Sequence, residues 1–394
     1  DYVQGRQQAT FYPQGGNQYS ATGVRQIRFA LNTTNGFLDM SSIAFESTIT
    51  EKGGSNPIRF LGGNWGCMVS EMRIYAAGVE CERIQYQNRL ENMLERFLPW
   101  DKRAAIYNSG FGFVSGGLDG TFVSDSMAHS TSQKVVWKPI TSGLLSQKCY
   151  LPSMFLGSGG LVIELFLVGD PTECCDTSSG MSSSWELTDL RCYAEVCSVD
   201  NAMLTSLSKA LLNGTELQIP FKSYQTTLYS INAPTAQLVN ARALTRVDQI
   251  LISFHRKLAE TATLKELNYH YLSPHGQDIS LQTSIGERNF PDHKASNLSE
   301  HWYRLLNGLG INSSNSTLNI SRPGYRSNSF IQCVDLEAVP GQAHGSGMST
   351  HGAQMTFALE NLGASSADLP DRCFITTWYN AILSIGQDGC VLAT

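Results

Sequence analysis

Apolar and polar positions first fall into order between Met68 and Tyr75, where Met68, Met72 and Ile74 share one face and Glu71, Arg73 and Tyr75 the other. That period of two predicts a half-buried strand. After Ala76-Ala77-Gly78 the period lengthens. Tyr86, Leu90, Met93, Leu94, Phe97 and Leu98 fall at helical spacing, with Glu82, Arg83, Arg89, Glu91 and Arg96 mostly off the stripe, and Pro99 closes the run. A helix inserted after β structure has to bury its stripe on a sheet, so it is expected as a packed decoration of a β domain.

Alternation recurs along the chain. Strands are expected around Ile27–Leu31, Ile43–Ile49, Val135–Ile140 and Leu161–Val168, the last apolar enough to be buried on both faces. In the second half they are expected at Trp185–Val196, Leu217–Tyr229, Val239–Phe254, Phe330–Leu336, Ala353–Leu359 and Cys373–Ile385. Asp388-Gly389 is the turn before Cys390-Val391-Leu392. Two further helical stripes stand out, Met203 to Leu211 after an Asp200 cap and before Gly214, and Leu298 to Leu309. Residues 101–133 read as loop, and Gly169–Ser184, polar and turn-rich, as the boundary between halves.

The fold class implied is all-β with a few inserted helices, arranged as two halves each about the size of one eight-stranded sandwich. Residues 1–23, rich in Gln and Gly, read as an N-terminal arm ordered only by neighbours; the first half is taken as 24–182 and the second as 183–394. Each half follows a similar element order without visible sequence identity, as in an internal duplication.

Composition narrows the function. With 394 residues, 16% charged, and a formal net charge of −6, the chain lacks the clustered Lys and Arg needed to coat a nucleic acid, and no direct sequence-specific nucleic-acid binding is expected. No apolar run reaches the length of a membrane span. Ten cysteines occur without a CxxC pair; the local group Cys174, Cys175, Cys192 and Cys197 reads as reduced thiols in strands and loops. Sequons stand at Asn32, Asn213, Asn297, Asn312, Asn315 and Asn319, but no secretory signal precedes them, and they read as chance occurrences in a Ser/Thr/Asn-rich chain.

Candidate chemistry is sparse. His344 and His351 have neither helical nor finger spacing for a metal. Gly157-Ser158-Gly159-Gly160 lacks the nucleophile-elbow pattern and precedes a strand, which also argues against a phosphate loop. His255 ends an apolar strand as a structural histidine would. Trp65, Trp100, Trp137, Trp185, Trp302 and Trp378 fit core positions better than a sugar platform. No catalytic, cofactor-binding or metal-binding residue and no cofactor is therefore expected.

The stretches FLDMSSIAFEST and PIRFLGGNWGCMVSEMRIYAAGVECERIQYQNRLENML resemble the first jelly roll of double jelly-roll major capsid proteins of polinton-like and related eukaryotic DNA viruses. SGLLSQKCYLPSMFLGSGGLVIELFLV is similar to the close of that jelly roll, and WELTDLRCYAEVCSVDNAMLTSLSKALLNGTELQIPFKSYQT to the opening of the second. The resemblance, which extends to adenovirus hexon and tectivirus capsid proteins, implies that the two halves are consecutive eight-stranded jelly-roll sandwiches, 24–182 the first jelly roll and 183–394 the second. It implies that the chain is a non-enzymatic major capsid protein. It implies a homotrimer forming a pseudo-hexameric capsomer of an icosahedral shell, with neighbouring capsomers, penton and minor capsid proteins as partners. It also implies assembly inside the host cell and residence in the virion, with modest chain length leaving no room for tall towers. The alternatives are a secreted carbohydrate-binding or carbohydrate-active β-sandwich protein, and a domesticated host relative of the capsid protein.

Overall fold

The computed structural model describes all residues except 1–2, 34–35, 117–121, 178, 256–277, 311–317, 319, 328, 340–345, 364–368 and 388. Among the described residues, sixteen principal strands build two sandwiches. In the first half they are β1 (Val3–Phe11), β2 (Gln26–Leu31), β3 (Phe37–Glu51), β4 (Val69–Ala76), β5 (Val79–Gln85), β6 (Ser132–Trp137), β7 (Leu161–Leu167) and β8 (Trp185–Val199). In the second they are β9 (Leu217–Ser230), β10 (Ala236–Asn240), β11 (Val247–His255), β12 (Ser280–Ile285), β13 (Arg288–Ala295), β14 (Ile331–Asp335), β15 (Met355–Glu360) and β16 (Arg372–Gly386).

The sheets run β1-β8-β3-β6 and β2-β7-β4-β5 in the first half, and β9-β16-β11-β14 and β10-β15-β12-β13 in the second. Adding eight to each first-half strand reproduces the second half, so the duplication lies in the hydrogen-bonding order itself. Each half is a jelly roll of two antiparallel sheets packed face to face. A C-terminal strand, β17 (Gly389–Ala393), extends the second half along β16.

Helices occupy matching places. Between β5 and β6 lie α1 (Gln87–Arg96) and α2 (Trp100–Ser109); α3 (Asn201–Leu212) joins the halves; α4 (Leu298–Gly308) and α5 (Arg322–Ser327) lie between β13 and β14. The core follows the expected alternation. Phe29, Ile163 and Ile74 sit opposite one another across β2, β7 and β4, all fully buried. Phe29 meets Phe45 of the other sheet with ring centroids 5.3 Å apart. In the second half Leu238, Phe357 and Thr283 form an equivalent row across β10, β15 and β12. One continuous apolar cluster runs through both halves, from Tyr19 to Cys390.

Several expectations need correction. Residues 3–11 are not a loose arm but the first strand, paired with β8 over Ala9↔Ala194 and Phe11↔Cys192. The strand Trp185–Val199, expected to open the second jelly roll at 183, hydrogen-bonds to Phe37–Glu51 and completes the first sheet. Backbone donors and acceptors must be satisfied by whichever edge is adjacent in space, which position along the chain does not reveal. The polar stretch Gly169–Ser184, expected as the boundary between halves, packs within the first half. Cys174, Cys175 and Asp176 are buried, and Ser182 bridges to Ile58.

Within 101–133 the chain forms α2 and a short hairpin whose Phe113 and Phe122 pack with Tyr107. Pro99, expected only to stop a helix, also begins the next one, since its lost N–H is an orphan at a helix start. Glu82 and Arg83 belong to β5, not to the helix. The expectation that Leu161–Val168 is buried on both faces holds only in part, because Glu164 and Phe166 are half-exposed.

Candidate functional site: the junction between the two sandwiches

The turn Ala77-Gly78, with φ of 52° and 83°, has the two left-handed residues that a tight hairpin requires, and it aims β5 at the second half. Tyr86, also left-handed at φ 55°, ends β5 and turns the chain into α1. The helix then runs between the sandwiches and is buried nearly all round. Gln87, Asn88, Arg89, Glu91, Asn92, Glu95 and Arg96 are all buried alongside Leu90 and Met93, whereas Leu94, assigned by sequence to the buried stripe, is half-exposed. A helix with two buried faces needs partners for its polar side chains, because an unmade buried hydrogen bond is costly.

Those partners come from both halves. Glu91 accepts from Trp137 Nε1 at 2.7 Å through one oxygen and from Gln87 Nε2 at 3.0 Å through the other, while Gln87 accepts from Thr141 Oγ1 at 2.7 Å. Burial, then repulsion from Glu95, pushes the Glu91 carboxyl up to about 8. Burial also raises Glu95, against the pull of Arg103 and Arg96. Gly66 lies so close that a Cβ there would stand 2.5 Å from Trp137 Nε1 and 2.7 Å from Glu91 Oε2.

On β5, Glu82 accepts from the backbone N–H groups of Gly143 at 3.1 Å and Leu144 at 3.2 Å, and from the Ser142 hydroxyl. Burial outweighs these donors and pushes its carboxyl up to about 7.

Toward the second half, Tyr86 meets Phe374 edge-on at 5.3 Å and the Arg89 guanidinium lies 5.2 Å above the same ring. Arg96 donates to Ser329 Oγ. Leu90 and Met93 rest near Thr226, Ser253 and Thr376, placing α1 against β9, β11 and β16. Gly143 approaches β9 so closely that a Cβ would come within 1.5 Å of the Lys222 carbonyl oxygen. A cleft of 440 Å³ lies between β5 and the second half, lined by Glu80–Arg83 and Gln85 on one side and by Gln225, Ala241–Leu244, Tyr379 and Leu392 on the other.

Of the sequence-level candidates, Trp65, Trp137 and His255 lie at this junction. Trp65 and Trp137 are fully buried 4.9 Å apart under α1, and Trp185 is also core, whereas Trp100 is 44% exposed. Trp302 and Trp378 are half-buried, so the tryptophans form no common exposed platform. His255 is buried within β11, near Phe374. His351 is exposed beside Thr245, and His344 lies outside the described residues. Gly157–Gly160 close a short 3₁₀ segment before β7.

Cys174 and Cys175 have sulfurs 3.7 Å apart and, like Cys192 and Cys197, are buried. Asn32, Asn213 and Asn297 are exposed, Asn297 serving as the N-cap acceptor for Glu300 N; Asn312, Asn315 and Asn319 lie outside the described residues. Among the described residues no group of His, Cys, Asp and Glu is arranged to hold a metal, and no helix is long and apolar enough to cross a membrane. The junction joins the two sandwiches through packed rings and buried hydrogen bonds. Sequence reasoning found α1 but missed its polar contacts, whose partners lie far away along the chain.

No family model matches the chain, and no curated protein matches it in sequence. Solved structures do match. PBCV-1 VP54, fitted into a cryo-EM reconstruction of the virophage Sputnik, aligns over 100% of this chain and 98% of its own with TM-score 0.69 and 9% identity. The Faustovirus major capsid protein aligns over 97% and 90%, with TM-score 0.66 and 8% identity. The mavirus major capsid protein aligns over 98% and 89%, with TM-score 0.52 and 9% identity. The fold is therefore the double jelly roll of these major capsid proteins, shared from end to end.

Proposed function

We propose, from a fold shared along its whole length with viral major capsid proteins, that this chain is itself a structural subunit of a virion shell. The observation that carries the reading is the repeated strand order, β1-β8-β3-β6 with β2-β7-β4-β5 and then the same plan again. Two equivalent wedges in one chain let three chains supply six, and a near-hexagonal block tiles a closed shell. On this reading the functional units are residues 3–199 and 217–386, linked by α3. The site is not a catalytic pocket but the surfaces on which wedges meet, and the chain is not an enzyme.

The partners are further copies in a homotrimer, then neighbouring capsomers, with penton and minor capsid proteins completing the shell. The place of action is the virion, after assembly in the host cell. The net charge of −6 fits a wall that leaves genome contacts to other components. Purified chain examined by light scattering and negative-stain imaging tests the reading. A trimer with a pseudo-hexagonal outline supports it, and a stable monomer that never assembles rejects it.

A further inference from the structure

Three polar side chains of the second half converge on the sheet β9-β16-β11-β14. Lys222 of β9 and Asn380 of β16 are directly opposed in register, which puts their Cβ atoms on one face and about 5 Å apart. Asp248 comes from β11, on the other side of β16. The β11–β16 register slips between Val247 and Gln249, so Asp248 is the extra residue of a bulge. A bulge re-aims a side chain that regular pleating would send elsewhere.

One carboxylate holds the other two groups. Lys222 Nζ lies 2.8 Å from Asp248 Oδ2, and Asn380 Nδ2 donates to Asp248 Oδ1 at 2.6 Å. The same amide nitrogen donates to the Ser346 carbonyl oxygen at 2.9 Å. These two acceptors fix which end of the amide is nitrogen. The amide oxygen is left buried without a hydrogen-bond partner among the described residues. Asp248 and Asn380 are buried, whereas Lys222 is half-buried, its ammonium 5.3 Å from the centre of the Trp378 ring. An ion pair alone would account for Lys222 with Asp248. It does not account for an amide turned so that its oxygen is orphaned, which costs free energy in a buried site.

The geometry points to an amide cross-link between the Lys222 and Asn380 side chains, formed by the folded chain itself with Asp248 as proton carrier. The Lys222 ammonium passes a proton to Asp248 Oδ2, and the freed amine attacks Asn380 Cγ. As the Nζ–Cγ bond forms, the carbonyl π pair moves onto Oδ1. Asp248 then gives its proton to Nδ2 and takes one from Nζ. The Cγ–Nδ2 bond breaks, the carbonyl re-forms, and ammonia leaves with the proton held by Asp248. One alkylammonium and one primary amide become one secondary amide and one ammonium ion, so atoms and charge balance and nothing is oxidised or reduced. The half-exposed Lys222 side opens a route to solvent for the ammonia.

The product ties β9 to β16 within the second sandwich. Its two ends lie far apart along the chain, so the bond closes a long loop and restrains the unfolded state. The inference concerns this sheet alone and stands whether or not the chain builds a shell.

Intact mass of the purified full chain, denatured after prolonged incubation in its folded state, tests the proposal together with peptide mapping. The expected mass is that of the sequence less one ammonia, with a joined peptide containing Lys222 and Asn380. Lys222→Arg, Asn380→Ala and Asp248→Asn are each expected to restore the full mass, with thermal melts checking that the variants fold. The unmodified chain decides the matter without any variant. Full mass in it overturns the cross-link, and so does ammonia lost at Asn380 with Lys222 unjoined, the mark of a succinimide. A joined peptide that persists in Asp248→Asn overturns the role given to Asp248.

Discussion

Trp137 donates its indole N–H to Glu91 at 2.7 Å, joining the last strand of a sheet to a helix 46 residues earlier in the chain. Trp137 is fully buried and Glu91 nearly so, hence neither partner has water as a substitute. Trp137→Phe keeps an aromatic ring but leaves the carboxyl short of a donor, and it is expected to cost roughly 1–3 kcal/mol of unfolding free energy. Urea unfolding checks this, and a change within experimental error would show that the hydrogen bond does not anchor α1.

A pH dependence follows from the same helix and the strand that leads into it. Glu82 is pushed up to about 7 and Glu91 to about 8, above the roughly 4.3 of a free glutamate in an unfolded chain. The folded protein therefore holds protons that the unfolded chain releases. Stability falls as pH rises from about 4.5 through 8, because the native state must bury charge to stay folded. The depressed carboxyls Glu51, Glu71 and Glu300 contribute in the opposite sense, but their contribution is lost only as pH falls below the free-glutamate range. A melting temperature higher at pH 6 than at pH 8.5 is expected, and Glu91→Gln should flatten the difference. A flat or reversed profile in the unmodified chain contradicts the buried-acid account.

Gly143 tests how closely the halves fit. A methyl group there would overlap the Lys222 backbone, which cannot move aside as a side-chain tip can. Gly143→Ala is expected to destabilise by about 1–3 kcal/mol or more through overpacking. Gly78→Ala meets nothing within 4 Å but sits at φ 83°, so its cost is confined to the turn at about 1 kcal/mol. Equal losses in the two variants would argue against the tight junction.

Removing residues 1–11 distinguishes a strand from an arm. Loss of β1 uncovers the edge of β8, leaving backbone groups from Cys192 to Val199 without their strand partner. Lower stability and aggregation through the new edge are expected in thermal melts and light scattering. An unchanged melt would favour the arm.

The fold was legible in strands such as β4 and β2, where one buried face imposes alternation, but not in β12, whose buried Leu281, Thr283 and Ile285 alternate over only six residues. Met72 and Ile74 against Glu71 and Arg73 give the period of β4, and Ile27, Phe29 and Leu31 that of β2, because burial selects those side chains directly. β1 was not legible, since its side chains are exposed on both faces and no alternation is imposed on them. α2 escaped because its buried positions are Arg103, Ala104 and Tyr107, with Arg103 held over the Phe122 ring at 4.5 Å.

The duplication was legible as an order of elements but misaligned. Strand 185–199 precedes α3 as β5 precedes α1, yet its hydrogen bonds go to β1 and β3. The junction was the least legible part. Glu91 with Trp137 and Gly143 with Lys222 depend on which distant strands become neighbours, and no local pattern carries that.

The most direct measurement of the central claim is the mass and outline of the purified assembly. With a chain of 43.2 kDa the account predicts a particle of about 130 kDa with six wedges in projection. A species that stays at the single-chain mass at every concentration, with no larger particle in the images, would contradict it.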